Sequence, residues 1–243
     1  MWQSTYSIGD IDWEGYEEYC KERYEAFIYV EEEKGYSLDP YSTEDLEIDE
    51  IVGIADDLDK GLDPSVYANG KFNAKQRKEI REGLHAGIDV SLYANESFNS
   101  DQMSVVKQGL IAGFNLIDYW DKGYNTSQVN QIMLGLISGV ETARYDDLRY
   151  GYGQMREIRL GLENGVDVSR YDGREVRSDA MRELRLMLEG GFDITPYVHG
   201  FNGWQLKEIR LGLESGIDVT QYADPSYFTF KMEKIRLQLE SVK

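Results

Sequence analysis

The sequence predicts an all-α protein: an α-solenoid of about seven to eight 26-residue repeats behind an acidic helical N-terminal region. Three observations carry this. Gly61, Gly87, Gly113, Gly139, Gly165 and Gly191 recur every 26 residues, and Gly216 follows after 25. A tyrosine stands six places after each of them: Tyr67, Tyr93, Tyr119, Tyr145, Tyr171, Tyr197 and Tyr222. Between the glycines, apolar residues recur at spacings of three and four, as on a helix with one buried face. A repeat of this length cannot bury its stripe alone, whereas a stack of them can.

Taken in order, residues 1–45 precede the clear repeat and residues 46–243 contain it. The stretch 11–33 mixes acids with Trp13, Tyr16, Tyr24, Phe27 and Tyr29, too many aromatics for a disordered acidic tail, and reads as a helix. Thr43 is the expected cap of the next helix, whose Ile51, Ile54, Leu58 and Leu62 already follow the repeat phase.

Each repeat then reads as a long helix, a tight turn and a short helical turn. Places are counted here from the closing glycine. The buried stripe is Met103, Val129, Met155, Met181 and Leu206 at −10, with Ile80, Val106, Ile132, Ile158, Leu184 and Ile209 at −7. Leu84, Leu110, Leu136, Leu162, Leu188 and Leu213 continue it at −3. Asn73, Asn99, Asn125 and Asn202 each stand three residues before a glutamine, the pattern of an N-cap with its capping-box partner. The closing glycine suits a left-handed C-cap, and the acid or amide two places later suits a cap for the short turn. Gly83, Gly109, Gly135, Gly161 and Gly212 lie inside helices at −4, which costs about 1 kcal/mol against alanine. Their recurrence predicts that a neighbouring backbone comes close there. A last helix, about 229–241, opens an eighth unit.

The segment Gln154–Tyr171, Gln-Met-Arg-Glu-Ile-Arg-Leu-Gly-Leu-Glu-Asn-Gly-Val-Asp-Val-Ser-Arg-Tyr, resembles a short helical repeat of proteins from phages and mobile elements of gut Firmicutes. The resemblance covers about residues 64–243; it implies a helical, non-catalytic protein of mobile-element origin and supplies no defined activity. Leu162–Val168 is also similar to the helix end of an ankyrin repeat. The Thr-Pro-Leu-His opening of that repeat is absent, however, so the likeness reflects shared capping chemistry.

The 243 residues carry a net charge of −19, unevenly spread. Residues 1–63 hold −16 and residues 64–243 hold −3. Such an N-terminal region repels nucleic acid and anionic membranes and attracts basic surfaces. Among its acids, Asp10, Asp12, Glu14, Glu17, Glu18, Glu31, Glu32 and Glu33 are the candidate partner-binding carboxylates, readable either as a solenoid cap or as mimics of nucleic-acid phosphates. A second candidate surface comes from units that break the pattern. Val105 stands at −8 in place of a polar residue, Met133 at −6 in place of a base, Ile111 and Ile137 at −2 in place of Glu, and Trp120 follows a repeat tyrosine. If those columns face solvent, the five form an exposed apolar patch; packing between elements or between copies is the other reading. The base at −6, as in Arg159, Arg185, Arg210 and Arg236, has a Glu four residues later and reads as half of a pair on a solvated face.

Catalytic signals are missing. His85 and His199 do not stand at metal-ligand spacing, Cys20 has no partner, and no Walker loop, nucleophile elbow or dinucleotide fingerprint occurs. No catalytic residue, metal or cofactor is expected. No secretion signal or membrane span is visible, so a cytoplasmic protein is expected. The functional expectation is a non-catalytic, protein-binding inhibitor. Its partner would be a host defence nucleoprotein such as a CRISPR effector, met through an acidic surface without direct nucleic-acid binding. A structural or homo-oligomeric scaffold is the alternative.

Overall fold

The computed structural model describes residues 13–242, and among them every regular element is helical. The chain divides into two compact units, up to Ile111 and from Ala112.

The first unit contains α1 (Trp13–Ile28), α2 (Ile48–Asp59), α3 (Ala74–His85) and α4 (Ser100–Ile111). The last turn of α1 widens into a π-helical turn, Tyr29–Glu33, so the helix expected over this acidic stretch is present. Ala26 and Val30 are its buried points, and α1 packs on α2. Thr43 does not cap α2, contrary to expectation. The cap is Glu47, whose N–H donates to the Glu50 carboxylate at 2.9 Å. Thr43 is held elsewhere: its carbonyl accepts from the Arg23 guanidinium of α1 at 2.5 Å, as does the Leu46 carbonyl at 2.6 Å.

The second unit contains α5 (Asp118–Asp121), α6 (Thr126–Ser138), α7 (Tyr152–Glu163), α8 (Ser178–Glu189), α9 (Gly203–Glu214) and α10 (Thr229–Ser241). From α6 to α10 each helix packs on the next. The stripe at −10 and −7 is buried throughout, while the −3 leucines are half-buried at its margin. The short turns at 64–66, 90–92, 168–170 and 219–221 each start from an aspartate that accepts the N–H two residues on, for example Ser169 N to Asp167 at 3.1 Å. The closing glycines from Gly61 to Gly216 all have positive φ, between 64° and 87°, which side chains other than glycine resist.

The capping glutamines do more than close the helix start. Gln128 accepts the Asn125 N–H at 3.0 Å and donates its amide to the Tyr150 carbonyl of the next repeat at 2.8 Å. Gln76, Gln154 and Gln205 bridge in the same way to Phe98, Val176 and Tyr227.

What approaches four of the five interior glycines is a side chain, not the backbone expected; beside the fifth, Gly109, the repeat tyrosine Tyr119 bonds Asp146 instead. A Cβ on Gly83, Gly135, Gly161 or Gly212 would lie 1.7–2.0 Å from the hydroxyl of Tyr93, Tyr145, Tyr171 or Tyr222. Each hydroxyl donates to the carbonyl at −8 in its own repeat.

Candidate functional site

The −6 bases face neighbouring helices rather than solvent, which corrects the solvated-face reading. Each bonds the −8 residue of the preceding repeat: Lys107 to Glu79 at 2.7 Å, Arg159 to Gln131 at 3.1 Å and Arg185 to Glu157 at 2.9 Å. Arg210 to Glu183 and Arg236 to Glu208, both at 2.8 Å, continue the series. The expected partner four residues on is present as well, as in Arg185 to Glu189 at 2.5 Å. Such buried ion pairs add little net stability because desolvation offsets the attraction, but they penalise a slipped register. The bases are therefore consumed between helices and leave no phosphate-binding stripe at −6.

Two apolar departures stand in these same columns. Val105 occupies a −8 place and Met133 a −6 place. They are 7% and 1% exposed, so neither lies on a surface patch as the sequence suggested. Trp120 is half-buried. Only Ile111 and Ile137, at 56% and 51%, present the exposed apolar side chains expected.

The first repeat builds its rung differently. Asp57 stands at −4, where every later repeat but the one with Met187 has glycine, and Gly53 stands at −8, where most of them have Glu. Asp57 is fully buried. It accepts from Tyr67 Oη at 2.7 Å and from Arg81 Nε and Nη2 at 2.8 and 3.0 Å, and His85 Nε2 lies 2.7 Å away. The guanidinium fits because residue 53 has no side chain; a Cβ there would lie 2.6 Å from it. Burial pushes the Asp57 carboxyl up, but the bonds from Arg81, Tyr67 and His85 outweigh it and hold the group below the ordinary aspartate value.

Arg77 sits beside this cluster in the place of an apolar −10 residue. It makes a two-pronged pair with Glu50 at 2.6 and 2.8 Å and donates to the Phe72 and Asp45 carbonyls. Burial opposes ionisation of Glu50, and the Arg77 bonds reverse this and lower its pKa. The two pairs flank an open cavity of about 680 Å³. Sequence reasoning passed over this cluster, although an arginine in a buried column and an aspartate in a glycine column were both visible. Its charged groups answer one another, so chemically it is a clamp joining α3 to α2.

That leaves the acids of α1. Glu14, Glu17, Glu18, Glu31, Glu32 and Glu33 are all exposed; Asp10 and Asp12 lie outside the described residues. Glu14, Glu18, Glu22 and Glu25, at spacings of four, four and three, share one face. Tyr16 and Tyr24 are exposed elsewhere on the helix, two residues from Glu14 and Glu18 and from Glu22, and so off the acidic face. Lys21, 3.7 Å from Glu25 in an exposed pair, is the cation on this face, because Arg23 is turned inward to the 43–46 loop.

A second exposed surface was missed. The −9 column places Arg156, Arg182 and Lys207 in solvent on α7, α8 and α9, and Trp204 beside them is 67% exposed. The run of bases at −9 in three consecutive repeats was legible but was overshadowed by the more regular column at −6.

Among the described residues no group of three His, Cys, Asp or Glu side chains is placed to hold a metal ion, and no helix is long and apolar enough to cross a membrane. No protein-family model, curated protein or solved structure matches the chain.

Proposed function

We propose that the chain is a helical-repeat solenoid that acts without catalysis, as a protein-binding inhibitor whose acidic α1 covers a basic, nucleic-acid-binding surface on its partner. The carrying observation is the α1 face with Glu14, Glu18, Glu22 and Glu25, all exposed and opposite the side that packs on α2. Acids concentrated on one rigid helix steer a cationic partner and discriminate against acidic ones. Exposed Tyr24 and Tyr16 add aromatic contact area on the same helix, away from the acidic face.

The repeats support this reading as a scaffold. Their buried columns, caps and tyrosines are committed to packing one repeat on the next, the arrangement of a solenoid. A defence nucleoprotein such as a CRISPR effector is the narrowest form of the proposal, and it rests on the resemblance of the repeat alone.

The test is capture from a bacterial lysate on the immobilised full chain. A basic nucleic-acid-binding protein is expected to be retained at low salt and released as screening shortens to about 3 Å near 1 M salt. Equal retention by a Glu14→Lys/Glu18→Lys/Glu22→Lys/Glu25→Lys variant would overturn the proposal.

A further inference from the structure

The N-terminal halves of α8, α9 and α10 carry a surface unlike the rest of this acidic chain. Arg182 and Lys207, at −9 on adjacent helices, have no ion-pair partner among the described residues. They line a cavity of about 320 Å³ with Trp204, above Asp179 and Gly203. Lys207 Nζ lies 5.9 Å from the Trp204 ring, a cation–π distance. Phe230, in the same −12 place on α10, is 70% exposed and stacks on the exposed Phe228 at 6.0 Å. Three exposed aromatics and two unanswered cations on one edge are the composition of an interface, not of an ordinary surface.

We infer that this edge docks α1 of a second copy of the chain. The two surfaces are opposite in sign. Their spacings also agree. Glu18 and Glu25 are seven residues apart, about 10.5 Å along a helix. Packed neighbours such as α8 and α9 have axes about 8–10 Å apart. An α1 laid across them sets Glu18 and Glu25 over Arg182 and Lys207. Single-stranded nucleic acid is a poorer occupant, because its affinity comes from neutralising a run of phosphates and this cavity offers only Arg182 and Lys207 without an ion-pair partner among the described residues. The contact joins two different surfaces, so copies link head to tail into a closed ring or an open chain. The inference does not rest on the proposed inhibitor function. The two share α1, so a basic partner and a second copy compete for it.

The experiment measures molar mass by light scattering and sedimentation for the full chain over a concentration series, at about 0.05 M and about 0.5 M salt. Mass is expected to rise with concentration at low salt and to fall back at high salt. Arg182→Glu/Lys207→Glu and Glu18→Lys/Glu25→Lys, each verified as folded by circular dichroism, should each weaken self-association at least tenfold. Mixed one to one, they should associate again, since each then offers the other a surface of opposite charge. A monomer at every concentration overturns the inference. So does association that survives both reversals, loss in one variant alone, or no recovery in the mixture. Salt-sensitive binding of a labelled single-stranded oligonucleotide that Arg182→Glu/Lys207→Glu abolishes would assign the edge to nucleic acid instead. Capture of a basic partner should persist in Arg182→Glu/Lys207→Glu, which separates failure here from failure of the inhibitor proposal.

Discussion

The hydroxyl oxygen of Tyr171 stands where the side chain of Gly161 would begin: a Cβ on that glycine would lie 2.0 Å from it. From this place the hydroxyl donates to the Glu157 carbonyl at 3.1 Å. One repeat supplies the contrast. Met187 holds the glycine place there and is fully buried, while its tyrosine, Tyr197, stays half-buried with its ring 6.1 Å from Phe201. In these repeats a glycine at −4 leaves the space that the tyrosine hydroxyl fills, and Met187 fills it instead. Where Asp57 stands at −4, Tyr67 is buried against its carboxylate, and Tyr119 turns to Asp146 although Gly109 holds that place.

Gly161→Ala should therefore destabilise the protein although alanine is the better helix former. The propensity gain is about 1 kcal/mol. Expelling a buried aromatic ring costs about 3–5 kcal/mol. The expected net loss is about 2–4 kcal/mol, read from the urea midpoint. Tyr171→Ala should add little in the Gly161→Ala background, because the ring has already left. A midpoint that rises in Gly161→Ala would sink the account.

The rung between Glu157 and Arg185 is open to a swap already present in the sequence. Glu157→Val alone leaves the buried Arg185 without its interhelical acceptor and should cost about 3 kcal/mol. Glu157→Val/Arg185→Met copies the residues found at 105 and 133 and should lie within about 1 kcal/mol of the parent, since a buried pair adds little over packed apolar groups. Urea denaturation of the two single variants and the double variant measures the coupling. Additive losses would count against it.

The folding columns were legible in the sequence because each recurs: the closing glycines, the Asn and Gln caps and the apolar stripe all occupy the places expected. What escaped was the direction in which a column faces. Arg185 reads equally well as a solvated partner of Glu189, and only helix packing shows that it also reaches Glu157, 28 residues back. For the same reason Val105 and Met133 looked like an exposed patch. Singular residues were harder still: Asp57, Gly53 and Arg77 compensate one another across two repeats, and a single-column comparison registers each only as an exception.

Acid should weaken the first repeats through Asp57 and Glu50. Both carboxyls are held below their ordinary values in the folded protein. Their contribution is therefore present above the unfolded pKa values of about 4 and is lost as pH falls through the lower folded values. Asp57→Asn should be less stable than the parent at neutral pH and lose less on acidification, because it has one fewer carboxylate to protonate. Urea midpoints between about pH 3 and 7 test this, and parallel curves for parent and variant would contradict it.

Alkali should act through the core tyrosines. Burial raises Tyr93, Tyr145, Tyr171 and Tyr222 well above the ordinary phenol value, and burial with a hydrogen bond to Asp146 pushes Tyr119 up to about 12. The folded values exceed the unfolded ones. Their contribution is complete below about pH 10 and is lost as pH rises from there towards the folded values. Phenolate absorbance should show a late phase that coincides with loss of helical ellipticity. Full ionisation while the helices persist would be inconsistent with hydroxyls locked over glycines.

The double use of Gln128 is separable by one atom. Gln128→Glu keeps the oxygen that accepts the Asn125 N–H and removes the donor to the Tyr150 carbonyl, placing a carboxylate oxygen against a carbonyl oxygen in a buried position. The cost at neutral pH should be about 2–3 kcal/mol, the range for a buried acceptor left without its donor. Protonation restores an O–H that donates, so the folded pKa of the introduced acid lies above its unfolded value of about 4.3. The variant should approach the parent below that unfolded value and fall behind it as pH rises through the folded one. Gln128→Ala loses the cap and the bridge together and should show no such slope. Midpoints against pH for both variants, each relative to the parent, decide the matter: a flat difference for Gln128→Glu would mean that the amide does not hold the two repeats together.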